Sequence, residues 1–316
     1  MKKAIITGAG GFIGAHLVKY LKKKGYFVKG IDLKKPQFSK THADKFIIAD
    51  LRDLSQVKKH ITKTDELYML AADMGGMGFI SCNGPQIVNN NAIINLNTLK
   101  VASEVGIKKV FFSSSACVYP EEKQMKTNNK GLKESDAYPA NPDTAYGWEK
   151  IFIEQVCKTY NDELGMNIKV ARFHNIYGPE GTYDGGREKS PAALCRKIAK
   201  TKNNGEIEVW GDGKQTRSYC YIDDCLEGVY TLMHSKHNQP INVGSDRLVT
   251  INKMVKIISE VANKNVSIKY DLTKPQGVRG RNSNNKNVEK ILKWKTNITL
   301  EEGLKKTYNW IQSQIK

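Results

Sequence analysis

Tyr146 and Lys150 stand four residues apart in the stretch TAYGWEK, Thr144 to Lys150. The stretch reads as the start of a helix, and at that spacing both side chains lie on one face. A Lys ammonium beside a phenol stabilises the phenolate and draws a Tyr pKa down from about 10. Tyr146 is then a candidate general base for a sugar or alcohol hydroxyl. A half-buried Tyr with a snorkelling Lys has the same spacing, so the rest of the chain must decide.

A second chemical stretch is GAGGFIG, after the short apolar strand Lys3 to Thr7 and before the amphipathic run AHLVKYLKKKG. Gly8, Gly11 and Gly14 are spaced three apart. Glycines let the backbone approach a pyrophosphate, whose charge meets amide groups at a helix N-terminus. The spacing departs from the strict G-x-G-x-x-G fingerprint. A second strand, FVKGID, ends in Asp32, placed to accept the adenosine ribose hydroxyls. A carboxylate there repels a 2′-phosphate and favours NAD over NADP, although Lys34 and Lys35 pull the other way. Asp50 closes a third strand, residues 46–50, where it faces adenine or caps the next helix.

These groups need elements to position them. LYMLAA is a fourth strand running out into Asp73 to Gly78, a Gly-rich loop expected to be too flexible for a helix. Such a loop at a strand's C-terminal end lies where doubly wound sheets bind ligands. A helix from Gln86 to Val105, a strand KKVFFSSS, the helix begun by TAYGWEK and ending near Gly165, and a sixth strand over residues 167–178 follow. Strands alternating with helices predict α/β architecture: a doubly wound parallel Rossmann sheet covered on both faces. Residues 1–178, with some later segments returning, are expected to form the NAD-binding domain. Residues 179–316, irregular at first, are expected to form mainly a smaller C-terminal α/β domain for a sugar nucleotide, over the sheet's C-terminal edge.

Composition narrows the class. In 316 residues no apolar run reaches the ~18 needed to span a membrane. The N-terminus reads as a strand and turn rather than a signal peptide. The charge of +18, from 50 basic and 32 acidic residues, is mostly Lys on predicted outer helix faces. No nucleic-acid motif accompanies it, so nucleic acid is not an expected partner, whereas an anionic small substrate gains from a positive field. Six cysteines show no close-spaced metal pairs, and no metal site is expected. A reduced, cytoplasmic compartment fits them best.

Gly8-x-x-Gly11-x-x-Gly14, Asp32, Ser115 and Tyr146-x-x-x-Lys150 fall in the order of the extended short-chain dehydrogenase/reductases, and the chain resembles that family over essentially its whole length. By the resemblance Tyr146 is the base, Lys150 also holds the nicotinamide ribose, and Ser115 helps bind the reacting hydroxyl. Phe12, Ile13, Leu51 and Ala71 join the NAD site by position. The stretches AADMGGMGFI, SSSACVYP, GGREKSPAALCRK, WGDGKQTRSYCYIDD and GVRGRNS are similar to the branch that epimerises GDP-mannose at carbons 3 and 5. That implies a transient 4-ketone, with GDP-L-galactose as product and GDP-L-gulose open as a second, and a homodimer through helices of the NAD-binding half.

Two inversions beside a ketone need an acid/base pair, and Cys117 and Lys189 fit it. A thiol, ordinarily near 8.5, gives or takes a proton near neutrality when positive charge is close. A Lys desolvated in a loop becomes a usable acid or base. The resemblance adds Gly75, Ala116, Asn175, Glu188, Ser190, Lys197, Gln215, Thr216, Arg217 and Arg279 to the sugar-nucleotide site. Arg279 and Lys197 suit a diphosphate, with Arg281 a rival for Arg279. His174 reads equally as a structural residue. Related 4,6-dehydratases carry Asp-Glu just after the Thr or Ser of the fifth strand, where this chain reads Ala116-Cys117-Val118, so no carboxylate is available to expel a 6-hydroxyl. The alternatives are an epimerase of another nucleotide hexose or heptose, a single 4-epimerase, which would leave Cys117 and Lys189 without work, and a dinucleotide-sensing binding protein on the same fold.

Overall fold

The computed structural model describes residues 1–315. The first half alternates strand and helix as expected: β1 (Lys3–Thr7), α1 (Phe12–Lys23), β2 (Phe27–Asp32), β3 (Lys45–Ile48), α2 (Leu54–His60), β4 (Glu66–Met69), α3 (Met77–Cys82), α4 (Gly84–Glu104), β5 (Lys109–Ser115), α5 (Ala145–Leu164) and β6 (Asn167–Phe173). Of these, α2 and α3 go beyond the helices placed from sequence, and β3 ends two residues before Asp50. The second half holds β7 (Ile176–Tyr177), α6 (Ser190–Lys200), β8 (Gly205–Trp210), β9 (Thr216–Arg217), β10 (Cys220–Tyr221), α7 (Ile222–Met233) and β11 (Ile241–Val243). It ends with β12 (Val249–Thr250), α8 (Ile251–Ala262), β13 (Val266–Asp271), β14 (Gly280–Arg281), α9 (Lys286–Leu292) and α10 (Leu300–Gln314).

Seven strands form one parallel sheet in the order β11-β6-β5-β4-β1-β2-β3. Successive side chains alternate between its faces. Ile5, Leu67, Val110 and Ile168 pack toward Leu99 of α4 and Ile153 of α5. Ile6, Tyr68, Phe111 and Ala171 pack toward Leu17 of α1 and Val229 of α7. Both faces are covered, which is why the strands read as unbroken apolar runs. Each Leu- or Ile-sized side chain so buried contributes about 1.5–3 kcal/mol.

Three expectations are corrected. The sixth strand stops at Phe173, because Asn175 adopts φ 46 and turns the chain; Ile176–Tyr177 then pairs with β10 instead. The supposedly helix-free loop contains α3, which starts at Met77 with the extended Gly76 as its cap. The irregular stretch after Gly178 contains α6, whose Pro191 occupies the first turn, where a missing N–H costs nothing.

Candidate active site

The site begins where α5 meets the turn after β5. A Cβ on Gly147 would lie 2.2 Å from the Cys117 carbonyl oxygen, so only Gly lets the first turn of α5 rest on the 3-10 turn Ala116–Val118. Thr144 caps that helix, accepting the Gly147 N–H at 3.2 Å. Tyr146 is thereby buried beside Ser115, whose hydroxyl accepts the Cys117 N–H at 3.2 Å. Burial holds the Tyr146 phenol well above its usual range; Cys117 and Glu149 push the same way, and the Ser115 hydroxyl pulls back. The Lys150 Nζ lies 5.6 Å from the Tyr146 ring centre, 4.8 Å from that of Phe112 and 3.9 Å from the Glu149 carboxylate. The expected lowering of the phenol by Lys150 therefore gives way to desolvation, to which Cys117 and then Glu149 add.

A cavity of about 330 Å³ opens above the first strand–helix turn, lined by Gly8, Gly10, Gly11, Phe12, Ile13 and Gly14 and reaching Tyr146 and Lys150. A Cβ on Gly14 would lie 2.0 Å from the Gly8 carbonyl oxygen, so the loop folds onto the helix start only with Gly there. The Asp32 carboxylate accepts the Gly10 N–H at 2.9 Å and the Lys34 N–H at 3.1 Å, which fixes it at the rim of this loop. Burial raises the Asp32 pKa against those hydrogen bonds. Bare backbone at a helix N-terminus, with an acid at the end of β2, fits a dinucleotide. Four expected cofactor residues stand outside the cavity wall: Asp32, held at the rim by the bonds above, and three others. Asp50 is held by Arg52, with contacts of 2.7 to 3.1 Å. Leu51 is buried in the core below, and Ala71 carries the backbone N that faces Gly8.

A second cavity, of about 470 Å³, adjoins the first; Met74, Ser115, Tyr146, Phe173 and Lys189 line both. Gly75, Ala116, Cys117, Asn175, Glu188, Ser190, Lys197, Gln215 and Arg217 also face it. Lys189 lies half-buried at the cap of α6, without an ion-pair partner among the described residues. Desolvation brings its ammonium below the usual lysine range, against the pull of Cys117 and Cys225. The segment that carries it is clamped to the loop after β4: the Gly76 N–H donates to Arg187 O at 3.0 Å, and Arg187 pairs with Asp73 at 2.8 Å.

Arg281, given in the sequence only as a rival, is the arginine that reaches this chemistry. Its Nη1 donates to the Cys117 Sγ at 3.1 Å and its Nη2 to Asp143 at 3.3 Å. Arg279 instead pairs with Asp212 at 3.0 and 3.1 Å, outside the cavity wall. Thr216 also stays outside, donating to Thr127 O at 2.6 Å. Burial, with Arg281 next, pushes Arg217 down to about 10, whereas, against burial, Cys117 and Asp143 hold Arg281 above its usual range, so Arg217 is the less satisfied of two guanidiniums at one wall. Such a wall favours an anion. The buried Gln215 Nε2 donates to Trp210 O at 3.0 Å, while its Oε1 has no partner among the described residues and fits a ligand donor. His174 lies outside both cavities, bonded to Asn242 at 2.9 Å.

Sequence reasoning placed Met74 and Gly76 in a ligand-binding loop without singling them out, and missed Glu149 and Trp210 at the site. Of these two, Glu149 left a signal, as an acid directly preceding the candidate Lys.

The NAD dependent epimerase/dehydratase family matches residues 4–244. The chain belongs to that family. NAD is accordingly its cofactor, and the glycine-lined cavity fits it. The chain is 47% identical over 316 residues to GDP-mannose 3,5-epimerase of Arabidopsis thaliana, covering 99% of this chain and 83% of the relative. It is also 47% identical to GDP-mannose 3,5-epimerase 1 of Oryza sativa subsp. indica, covering 98% and 82%. Among solved structures, UDP-glucose 4-epimerase with UDP-glucose from Thermotoga maritima superposes with a TM-score of 0.89 at 24% identity, over 99% of this chain and 100% of that one, and shows the shared fold.

Proposed function

We propose that this protein epimerises GDP-mannose at carbons 3 and 5 through a transient 4-ketone, giving GDP-L-galactose, with GDP-L-gulose as a second product. The reading rests chiefly on one observation: Cys117 and Lys189 face a single cavity beside Tyr146 and Ser115. The 47% identity to curated enzymes of that name supports it. Tyr146 takes the proton of the sugar 4-hydroxyl while Ser115 holds that oxygen. The glycine turn and Lys150 would hold NAD, which would supply a reversible hydride acceptor for carbon 4. The ketone acidifies the hydrogens on both neighbouring carbons. Of Cys117 and Lys189, one removes each proton and the other returns a proton to the opposite face; Arg281 orients the sulfur. Tyr146 finally gives back its proton. Arg217, Lys197, Gln215 and Asn175 hold the nucleotide end, with Gly75, Glu188 and Ser190 shaping the wall.

In heavy water, native protein with GDP-mannose should incorporate deuterium at two ring carbons. Cys117→Ala and Lys189→Ala should still generate the 340 nm absorbance of reduced cofactor and lose exchange by about a hundredfold or more. Absence of exchange in native protein that carries NAD would overturn the reading.

We also infer a homodimer through α4 and α5. Leu96, Trp148 and Phe152 on those helices are 38%, 48% and 48% exposed, more than an unpartnered helix pair needs. Six free cysteines support a reducing, cytoplasmic setting. Residues 1–178 with α7 and β11 are read as the NAD-binding unit, and the rest as the sugar-nucleotide unit. The +18 charge is read as a field for the anionic substrate, with no nucleic-acid role.

A further inference from the structure

Glu149 has no part in the steps above, yet its side chain is fully buried against Lys150. Its Oε1 accepts from Asn95 at 3.0 Å and its Oε2 from Asn91 at 3.5 Å, both on α4. Asn91 reaches further. Its Oδ1 accepts the Asp73 N–H at 2.6 Å and its Nδ2 donates to Asp73 O at 3.2 Å. Asp73 in turn holds Arg187, two residues before Lys189. A buried carboxylate survives only when its lone pairs are occupied and a counter-charge is near. Both conditions are met here by groups that lead to the two halves of the site.

We propose that Glu149 is a positioning residue: clamped by Asn91 and Asn95, its carboxylate fixes the Lys150 ammonium against the nicotinamide ribose and ties it to the loop that begins at Asp73. This rests on the reading of Tyr146 and Lys150 as the hydride-step couple. The charged and titratable groups around the couple are Glu149 itself, Cys157 farther along α5, Cys117 from the turn after β5, Lys189 at the cap of α6, and, behind Asn91, Asp73 with Arg187. The Glu149 charge stands beside the phenol as well as the ammonium, so it opposes phenolate formation. Removing it eases ionisation of Tyr146 and frees the Lys150 side chain.

The test compares native protein with Glu149→Gln and Glu149→Asp. Glu149→Gln should bind NAD at least fivefold more weakly in an equilibrium fluorescence titration. In single-turnover oxidation of GDP-mannose, its acid limb should move to lower pH by about one unit. Glu149→Asp, which keeps the charge, should leave the limb within a few tenths of a unit of native. A purely structural role would lower all rates without moving the limb. An unmoved limb together with NAD affinity within twofold of native overturns the proposal. If Glu149→Gln does not fold, Asn95→Ala replaces it, with the same loss of NAD affinity expected and the same overturning result. The titration needs no sugar, so it still decides the question if native protein fails to oxidise GDP-mannose, a result that would sink only the substrate assignment.

Discussion

His174 illustrates what one buried side chain does to the whole. Desolvation keeps its imidazole neutral, with a pKa of about 3; Arg281 and Arg172 add to the lowering and Asn242 opposes it. An unfolded His binds its proton near 6.5, so below that pH the unfolded chain holds more protons than the folded one. Stability is then fully present above about pH 6.5 and is lost as pH falls toward 3, with a slope of up to about 1.4 kcal/mol per pH unit. Urea titrations from pH 7 to 4 should show that slope in native protein and a shallower one in His174→Gln. Single residues were legible where a spacing carries their chemistry. Tyr146 and Lys150 are four apart on any helix, and Cys117 follows Ser115 at a strand end. Arg279 and Arg281 were not separable, because both suit a diphosphate and only the contact with Cys117 or Asp212 distinguishes them. Glu149 was passed over because its partners lie on α4, more than fifty positions upstream.

At the scale of elements, the seating of α5 matters most. Gly147→Ala would place a methyl 2.2 Å from the Cys117 carbonyl oxygen, a contact only backbone movement can relieve. It should destabilise the protein by about 1–3 kcal/mol in urea unfolding. It should also lower turnover at least tenfold, since Tyr146 and Cys117 must separate; native-like turnover would refute the seating. The start of α5 was readable from Thr144 and its end from Gly165, which adopts φ 59. α3 was hidden by Gly76 and Gly78, whose low helix propensity is overridden by packing: a Cβ on Gly78 would meet Trp210 at 3.1 Å. The break after Phe173 left no trace either, because the positive φ of Asn175 is set by its Nδ2 bond to Ser218 O at 2.9 Å, far along the chain.

At the scale of the molecule, the two cavities share a wall, so the proposed oxidation and epimerisation would need no movement of the sugar between sites. The exposed Trp148 and Phe152 lie on α5, the helix whose first turn carries Tyr146, so the inferred dimer would brace the catalytic turn from outside. Phe152→Glu should convert a dimer of about twice 35.5 kDa to a monomer by light scattering; an unchanged mass would place the contact elsewhere. The main sheet was foreseen as parallel, with later segments returning to that half; that the strand over Ile241–Val243 is the one that joins it was not. β11 pairs with β6 from a point well beyond the sugar-nucleotide segments. During synthesis on the ribosome, β6 therefore emerges long before its outer neighbour exists. Its row of unsatisfied amides and carbonyls stays open to other nascent chains in the interval, a window for misassembly that closes only when Ile241–Val243 leave the exit tunnel.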